Sequence, residues 1–538
     1  MTEVFSAIRF EYAGRAGGWT DFTADVLKTP SPRVSGMGIT GTGFTDRVGD
    51  AGTLTFSLDN SASNSQATLG YYTNFARGSY VRLSFEYDNR RVYKFVGTVD
   101  VDGVKAIAGK YGPRRVDVRC TNWMGLAAAH QLNLVGYQTN KRYDEVMPML
   151  LQNMGDQPFG MLFDQGQETF PTVFDVTRTQ TKTLGEFQKL AYSELGRIYM
   201  RGDFTNGGQL YGEARNSRQL HDTNITGTNA EWVPVLMSSA TDTLFLMATG
   251  DLTLMSTGAM KLNQRQRAIL TEADVMDLKF SYIQNYFNRA LARSYPRTVD
   301  AAATSVLGSL SSGSYITLTA GQQITDYRLQ YNDPNNPDVK INGIEMRQPI
   351  SSTDYKMYAN SDATGTDYTT SLSIQVRYGT SEASYTLTNN AAVTAYVTTL
   401  QAVGKGVRIY NTTDKVYTSI LPNLSNTTVQ IEFDMPYTNP NTTTGLFAYD
   451  TGNWNAFFTG YDYQELNAIE AVTFLANRSS LNMFAFMYCE PGTEIRFDET
   501  ISGVGVTANP YFINGTSFEI IQGKYVKWTA SCKWNGRY

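Results

Sequence analysis

Asp50-Ala51-Gly52-Thr53-Leu54-Thr55-Phe56-Ser57-Leu58-Asp59-Asn60 alternates apolar Leu54, Phe56 and Leu58 with small polar residues and stops at Asp-Asn. A period of two puts the three apolar side chains on one face, so the stretch predicts a half-buried strand ending in a turn. Working outward, Gly78 to Tyr87 carries Val81, Leu83, Phe85 and Tyr87 on one face, turns at Asp88-Asn89, and returns through Arg91 to Val99. This reads as a hairpin feeding a small barrel or sandwich. The far end of the chain repeats this pattern in Glu494-Ile495-Arg496-Phe497, then Tyr511 to Ile521, a Gln522-Gly523 turn, and Tyr525 to Cys532. The chain opens and closes on the same kind of module.

A chain of 538 residues exceeds what one hydrophobic core usually spans, so about three to five domains are expected. Charged residues make up 18% of the chain against a usual share of about a quarter, while 34 Tyr and 46 Gly point to many short strands and turns. The class is mainly β. A net charge of −5 gives no global drive toward a polyanion, because phosphate binding shows as a basic domain or stripe. A neutral or acidic conduit through which DNA passes without sticking is compatible with that balance. Cys120, Cys489 and Cys532 are an odd count without CxxC spacing and read as small buried hydrophobes, not as a disulfide framework or metal site. Met1-Thr2-Glu3-Val4-Phe5-Ser6 lacks the basic and apolar regions of a secretory leader, and no apolar run is long enough to cross a bilayer. The reading is a soluble chain, for which Asn426-Thr427-Thr428 and similar triplets carry no glycosylation meaning.

From Thr121 the alternation stops. Arg142 to Met154 carries Val146, Met149, Leu150 and Met154 at helical spacing before Gly155, with Pro148 marking a kink or a later start. Thr183 to Leu195 reads as a helix with a Thr183/Glu186 capping box, an apolar face of Leu184, Phe187, Leu190, Ala191 and Leu195, and Gly196 as its stop. Residues 244–258 hold a Met-rich repeat of two brief strands, each closed by Gly. Beyond Arg297, a helix-free region runs from Ala301 to Leu421, with strands at 372–376, 383–389 and 395–403 that suggest a β-sandwich. Tyr463 to Asn477 fits a helix, a strand, or one followed by the other.

Several of these segments, in this order, resemble the baseplate hub proteins of long-tailed bacteriophages, also called tail hub or minor tail proteins. The residues carrying the resemblance are Gly52 to Asn60, Gly97-Thr98-Val99, Val116 to Trp123 and Leu190 to Gly196. Later ones are Asp354-Tyr355, Gly365 to Tyr368, Leu387-Thr388-Asn389, Ala395-Tyr396-Val397, Glu432 to Tyr437 and Tyr511 to Gly515. The resemblance implies a structural virion protein with two small hub-type β-barrels, a helix-containing insertion and a central immunoglobulin-like β-sandwich. On this reading residues 1–125 form the N-terminal hub β-barrel and 126–215 an α/β insertion. Residues 216–300 form a β-rich connection with the Met-rich repeat, 301–421 the sandwich and 422–538 the C-terminal hub barrel region. It further implies a homotrimer at the tail tip or baseplate, made in the host cytoplasm, closing the distal end of the tail tube and contributing to genome delivery. Its implied partners are the distal tail or tube ring, tail-tip or fibre proteins and the tape measure protein, with DNA only in transit. The second reading is a tail-associated adhesin that binds host surface glycans through the central sandwich.

The residues themselves assign no catalytic, cofactor-binding or metal-ligating role. His130 and His221 are the only histidines, and neither lies in a metal or triad motif. Asp100 with Asp102, or Glu494 with Asp498, would suit a glycosidase, but Asp102-Gly103 reads first as a hairpin turn. Asn332 to Asp338 is rich in oxygen ligands yet lacks EF-hand spacing, and its two prolines favour a rigid loop over a calcium site. Arg265, Arg267, Arg289 and Arg293 are too few for a phosphate groove. Trp454, Phe457, Phe458, Tyr461 and Tyr463 read as core or subunit interface before they read as a sugar platform.

Overall fold

In the computed structural model the strand Val506–Ile521 joins the two ends of the chain in one sheet. The structure describes residues 3–14, 18–41, 46–60, 75, 78–107, 114–174, 181–204, 208–215, 217, 230–235, 263–271, 274–281, 289–294, 304–407, 415–420, 430–438, 468–499 and 506–534. Along one edge Val506–Ile521 pairs antiparallel with Tyr525–Trp534. Its other edge is shared, by Glu494–Glu499 over the first half and by Arg33–Gly38 over the second. From Arg33–Gly38 the sheet continues through Thr53–Asp59, Arg115–Asn122, Arg90–Ile107, Tyr80–Tyr87 and Ala7–Ala13. From Tyr525–Trp534 it continues to Ala468–Leu475 and Asp277–Ser281, and from Glu494–Glu499 to Asn263–Thr271 and Ala230–Val235.

The mainly β class read from the sequence holds. The two barrels take a different form: among the described residues the pairing is one branched, open sheet of 14 strands with no closed ring. Alternation fixes which face of a strand is buried and is silent on which strands pair, so a shared strand cannot be told from two separate edges. The two hairpins fall where their turns are written. Asp88 and Asn89 (φ 51° and 59°) form the two-residue loop between Tyr87 and Arg90, and Gln522 and Gly523 (φ 53° and 69°) open the three-residue loop between Ile521 and Tyr525; all four are left-handed, which matches a hairpin turn to strand twist.

Leu54, Leu58, Val81, Leu83 and Phe85 are buried as the alternation demands. They enter a core that draws on both ends of the chain. At its centre Phe85 packs against Phe486 (4.9 Å between ring centroids) and Phe518 (5.6 Å), while Phe5 touches Phe85 (5.1 Å) and Phe486 (5.7 Å). Two of these rings come from the first hundred residues and two from the last sixty, and the near-perpendicular pairs suit the ring quadrupoles.

Four helices are described: α1 (Trp123–Ala129), α2 (Tyr143–Leu151), α3 (Thr183–Glu194) and α4 (Ser480–Tyr488). The loss of alternation after Thr121 is thus a helix, opened by Asn122, whose side chain accepts from Met124 N–H at 3.1 Å. Helix α2 keeps Pro148 inside it, and Glu145 caps its start by accepting from Arg142 N–H at 2.8 Å. In α3 the expected capping box does not form. Lys182 is the N-cap, and the Thr183 hydroxyl meets His130 Nδ1 at 2.8 Å. The Glu186 carboxylate is taken by Tyr437 Oη (2.6 Å) and Lys189 Nζ (2.6 Å). The helix closes one residue earlier than expected, on Leu195 at φ 56°. Of the segment left open, residues 463–467 lie outside the described residues and the rest is a strand, Ala468–Leu475, followed by a short 3-10 turn.

Asp102-Gly103 is not a hairpin turn. The strand runs unbroken from Arg90 to Ile107, and its register against Arg115–Asn122 slips between Val99 and Val104. The extra residues form a bulge, where Gly103 is needed because a Cβ would lie 2.4 Å from Arg119 O.

Residues 305–407 build a second core around Leu318, Met357, Tyr385, Leu387, Val397 and Leu400. The strands expected here appear as Leu372–Tyr378, Glu382–Asn389 and Ala395–Val407. The last is a spine that pairs with Ser305–Ser309, Ile316–Leu318, Asn342–Ile344 and Tyr355–Tyr358. Glu382–Asn389 lies between Gln323–Gln330 and Leu372–Tyr378 in the facing sheet, and Tyr385 Oη crosses to Gln401 O at 3.0 Å. Two layers with such a core are a sandwich.

The phenylalanine cluster should carry much of the stability. Phe486→Ala leaves a ring-sized void in a site walled by three other rings and is expected to cost about 3–5 kcal/mol, read as a lower denaturant midpoint at unchanged slope. A cost below about 1 kcal/mol would mean that the two ends do not depend on this contact.

Candidate functional site

The densest polar arrangement lies where α3 runs into the strand Arg197–Arg201. That strand pairs with Gln209–Glu213 in a register that sets Arg197 opposite Glu213, and the two form a buried ion pair at 3.6 Å. Tyr199 Oη donates to the same Glu213 at 2.7 Å. Beside them Tyr211 Oη donates to Asp164 at 2.9 Å, and the Ser217 hydroxyl reaches the other oxygen of Asp164. Arg215 faces Glu168 at 3.6 Å. Glu194, the last residue of α3, accepts backbone N–H groups from Gln167 (2.9 Å), Glu168 (3.2 Å) and Arg215 (3.5 Å). Arg47 reaches in from the N-terminal region and donates to Leu195 O and Gly196 O.

Four carboxylates, Asp164, Glu168, Glu194 and Glu213, thus meet three guanidinium groups, Arg47, Arg197 and Arg215, all buried or nearly so. Burial pushes Glu194 up to about 7, against the pull of Arg215 and two backbone N–H groups, with Glu168 adding repulsion. The cluster also touches the C-terminal module: Gly492 (φ 88°) approaches so closely that a Cβ would lie 2.6 Å from Glu213 Oε1. Next to it Glu490 accepts from Gly202 N–H at 3.0 Å and pairs with buried Lys94. Strands from the start, middle and end of the chain therefore meet around two glutamates, an arrangement that fixes geometry.

The residues singled out in the sequence fall elsewhere. His130 ends α1 against Thr183, and His221 lies outside the described residues. Asp100 and Asp102 both sit on the bulge and line an open groove of ≈ 850 Å³ with Thr98, Lys105 and Asp117. Asp100 is engaged by Arg119 at 3.2 Å. Glu494 is buried in its strand, and the Asp498 side chain is outside the described set. Asn332 to Asp338 forms a tight hairpin in which Asp333 accepts from Asn335 N–H at 2.9 Å. No group of three or more His, Cys, Asp or Glu among the described residues is placed to hold a metal ion. The three cysteines are buried with free thiols, and burial pushes Cys489 up to about 12. Arg293 pairs with Glu432. The side chains of Arg265 and Arg267, the triplet at Asn426, the Met-rich repeat, and Trp454, Phe457, Phe458, Tyr461 and Tyr463 lie outside the described residues. Glu194, Glu213 and Arg47 were missed because a buried charge in a strand or helix end carries no periodic mark; only its unseen partners make it interior.

No protein-family model matches this chain, and no curated protein does. Among solved structures it is similar to the tail protein from Neisseria meningitidis MC58, with TM-score 0.41 and 6% identity over 98% of this chain and 96% of that one. It is similar to the 43 kDa tail protein of prophage MuSo2 from Shewanella oneidensis, with TM-score 0.41 and 8% identity over 97% of each chain. The prophage tail protein gp18 from Listeria monocytogenes EGD-e gives TM-score 0.35 and 9% identity over 97% of this chain and 94% of that one. All three scores lie below 0.5.

Glu194 sets a pH dependence. With its pKa raised on folding from 4.5 to about 7, the folded chain holds more protons than the unfolded chain between those values, so stability falls as pH rises through that window and levels off above it. Denaturant midpoints measured from pH 5 to pH 8 should decline in the wild type and stay flatter in Glu194→Gln. An equal slope in both would place the proton on another group.

Proposed function

We propose that this chain is a structural protein of a bacteriophage tail, and in particular a trimeric hub at the distal end of the tail tube. The observation that carries the reading is the shared strand Val506–Ile521, which binds the N-terminal and C-terminal strands, alike in their sequence pattern, into one body. Two like modules in one subunit address a symmetry problem. A tube ending in rings of six and a tip built on three are matched by a trimer that offers six similar modules on one side and three subunits on the other. The ordered sequence fragments from Gly52 to Gly515 support the same family.

On this reading residues 1–125 and 422–538 are the two hub modules, 126–215 the helical insertion, 216–300 a β-rich connection whose strands at 230–235, 263–271 and 277–281 join the main sheet, and 301–421 an outward sandwich. The subunit meets a tube or distal tail ring above, tip or fibre proteins below and the tape measure protein within, and DNA passes without affinity. The protein performs no catalysis: the charge cluster is spent on backbone N–H groups and ion pairs, and Asp100 is held by Arg119.

Mass measurement of the assembled complex, or a particle reconstruction, should give three copies per ring. Six copies would indicate a distal tail ring instead, and a lone copy would remove the hub reading. Purified protein should leave peptidoglycan and polysaccharide uncut; cleavage abolished by Asp102→Asn would overturn the non-catalytic assignment.

A further inference from the structure

One face of the central sandwich carries a row of side chains that neither its core nor the hub reading uses. In the spine strand Tyr396 lies opposite Thr317 on one neighbour and opposite Tyr358 on the other. Tyr358 in turn is bridged to Asp367. Residues that face each other across adjacent strands share a side of the sheet, so Thr317, Tyr396, Tyr358 and Asp367 form a straight row across four chain segments. The neighbouring positions Ile316, Ala395, Val397 and Met357 are buried, so the row points outward. Tyr315, 50% exposed, flanks it and meets the Tyr396 ring edge-on at 5.4 Å. Lys356 flanks Tyr358 on the same side.

We infer that this tyrosine row is a binding site for a neutral glycan, with Tyr315, Tyr396 and Tyr358 as the stacking platform and Thr317 and Asp367 as hydrogen-bonding ends. Adjacent strands lie about 4.8 Å apart, so the row spans roughly 14 Å, the reach of a short oligosaccharide. Tyrosine offers a rigid apolar ring and a hydroxyl at low entropic cost, which fits a ligand with C–H faces and hydroxyl edges. One carboxylate and one ammonium leave the platform without net charge, and this complementarity selects a neutral ligand over an acidic polysaccharide. Asp367 is ready as an acceptor: hydrogen bonding from Thr369 holds it below the usual carboxylate range, with a lesser contribution from Lys356. A second copy of the chain is a poorer occupant, because the row carries no aliphatic side chain and would bury hydroxyls and charge without the apolar centre that protein interfaces use.

The inference goes beyond the hub reading and fails independently of it, since a trimer without glycan affinity would leave that reading intact. The full-length protein is applied to an array of neutral hexose and N-acetylhexosamine oligomers, and the strongest hit is titrated by calorimetry. Binding is expected to weaken at least tenfold in Tyr315→Ala/Tyr396→Ala and only a few-fold in Tyr396→Phe, which keeps the ring. Tyr315→Ala alone, altering a half-exposed side chain, gives the same direction should the double variant melt early. No binding on the array, binding to acidic glycans alone, or equal affinity in the alanine variants would overturn the site. A changed copy number in Tyr315→Ala would also overturn it, by assigning the face to a subunit contact.

Discussion

Pairing of Arg33–Gly38 with Val506–Ile521 is the contact on which the rest of the molecule depends, because it makes the first and last parts of the chain structurally inseparable. Arg33 stands opposite Glu519 and Val34 opposite Phe518, so nearly the whole chain is a loop closed by one ladder. Closing so long a loop is less costly than it looks, since each doubling of length adds only about 0.6 kcal/mol. A buried phenylalanine cluster at the junction outweighs several such doublings. The kinetic consequence is harsher: ladders of this sequence separation form late and leave strand edges exposed meanwhile. Assembly that covers those edges promptly would serve such a chain well.

The charge cluster acts as the second constraint and works differently from the aromatic one. Apolar packing at Phe85 and Phe486 tolerates small rotations, whereas the Glu194 carboxylate accepts three backbone N–H groups only when α3, the 165–168 loop and the end of the 209–213 strand are placed together. Removing one partner from such a cluster leaves a buried charge without compensation, which costs more than the intact cluster contributes. Glu490, held by Lys94 and Gly202 N–H, extends the same logic to the C-terminal module. The aromatic cluster supplies free energy, and the polar cluster specifies one arrangement.

This division also explains what the sequence disclosed. Strands such as 53–59 and 80–87 and the turns at Asp88-Asn89 and Gln522-Gly523 were legible, because they depend on local periodicity and on residues that tolerate positive φ. The apolar face of α3 was legible for the same reason. Asp102-Gly103 was misread because its composition is that of a turn, whereas Gly103 serves a close approach to Arg119 O. Thr183 looked like a cap until His130, far away in sequence, took its hydroxyl. The shared strand was hidden because period-two patterning names a face and never a neighbour. For the same reason the sequence drew attention to the aromatics at 454–463, while the tyrosine row, assembled from Tyr315, Tyr358 and Tyr396, exists only once three strands are in register.

The row sits on a part of the molecule with its own interior. The core around Leu318, Tyr385 and Leu400 shares no residue with the core around Phe85 and Phe486. The described link to the α/β region lies at residues 378–380: the Thr380 hydroxyl donates to Val135 O at 2.7 Å and Phe174 O at 3.1 Å, and Gly379 packs so closely on Leu134 that a Cβ would lie 2.5 Å from its side chain. Substitutions in cores that do not touch add their effects with little coupling. The face that carries the tyrosine row can therefore change its side chains with little effect on the ladder that closes the chain. A side chain exchanged on that face therefore acts on the packing of the sandwich and not on that of the main sheet.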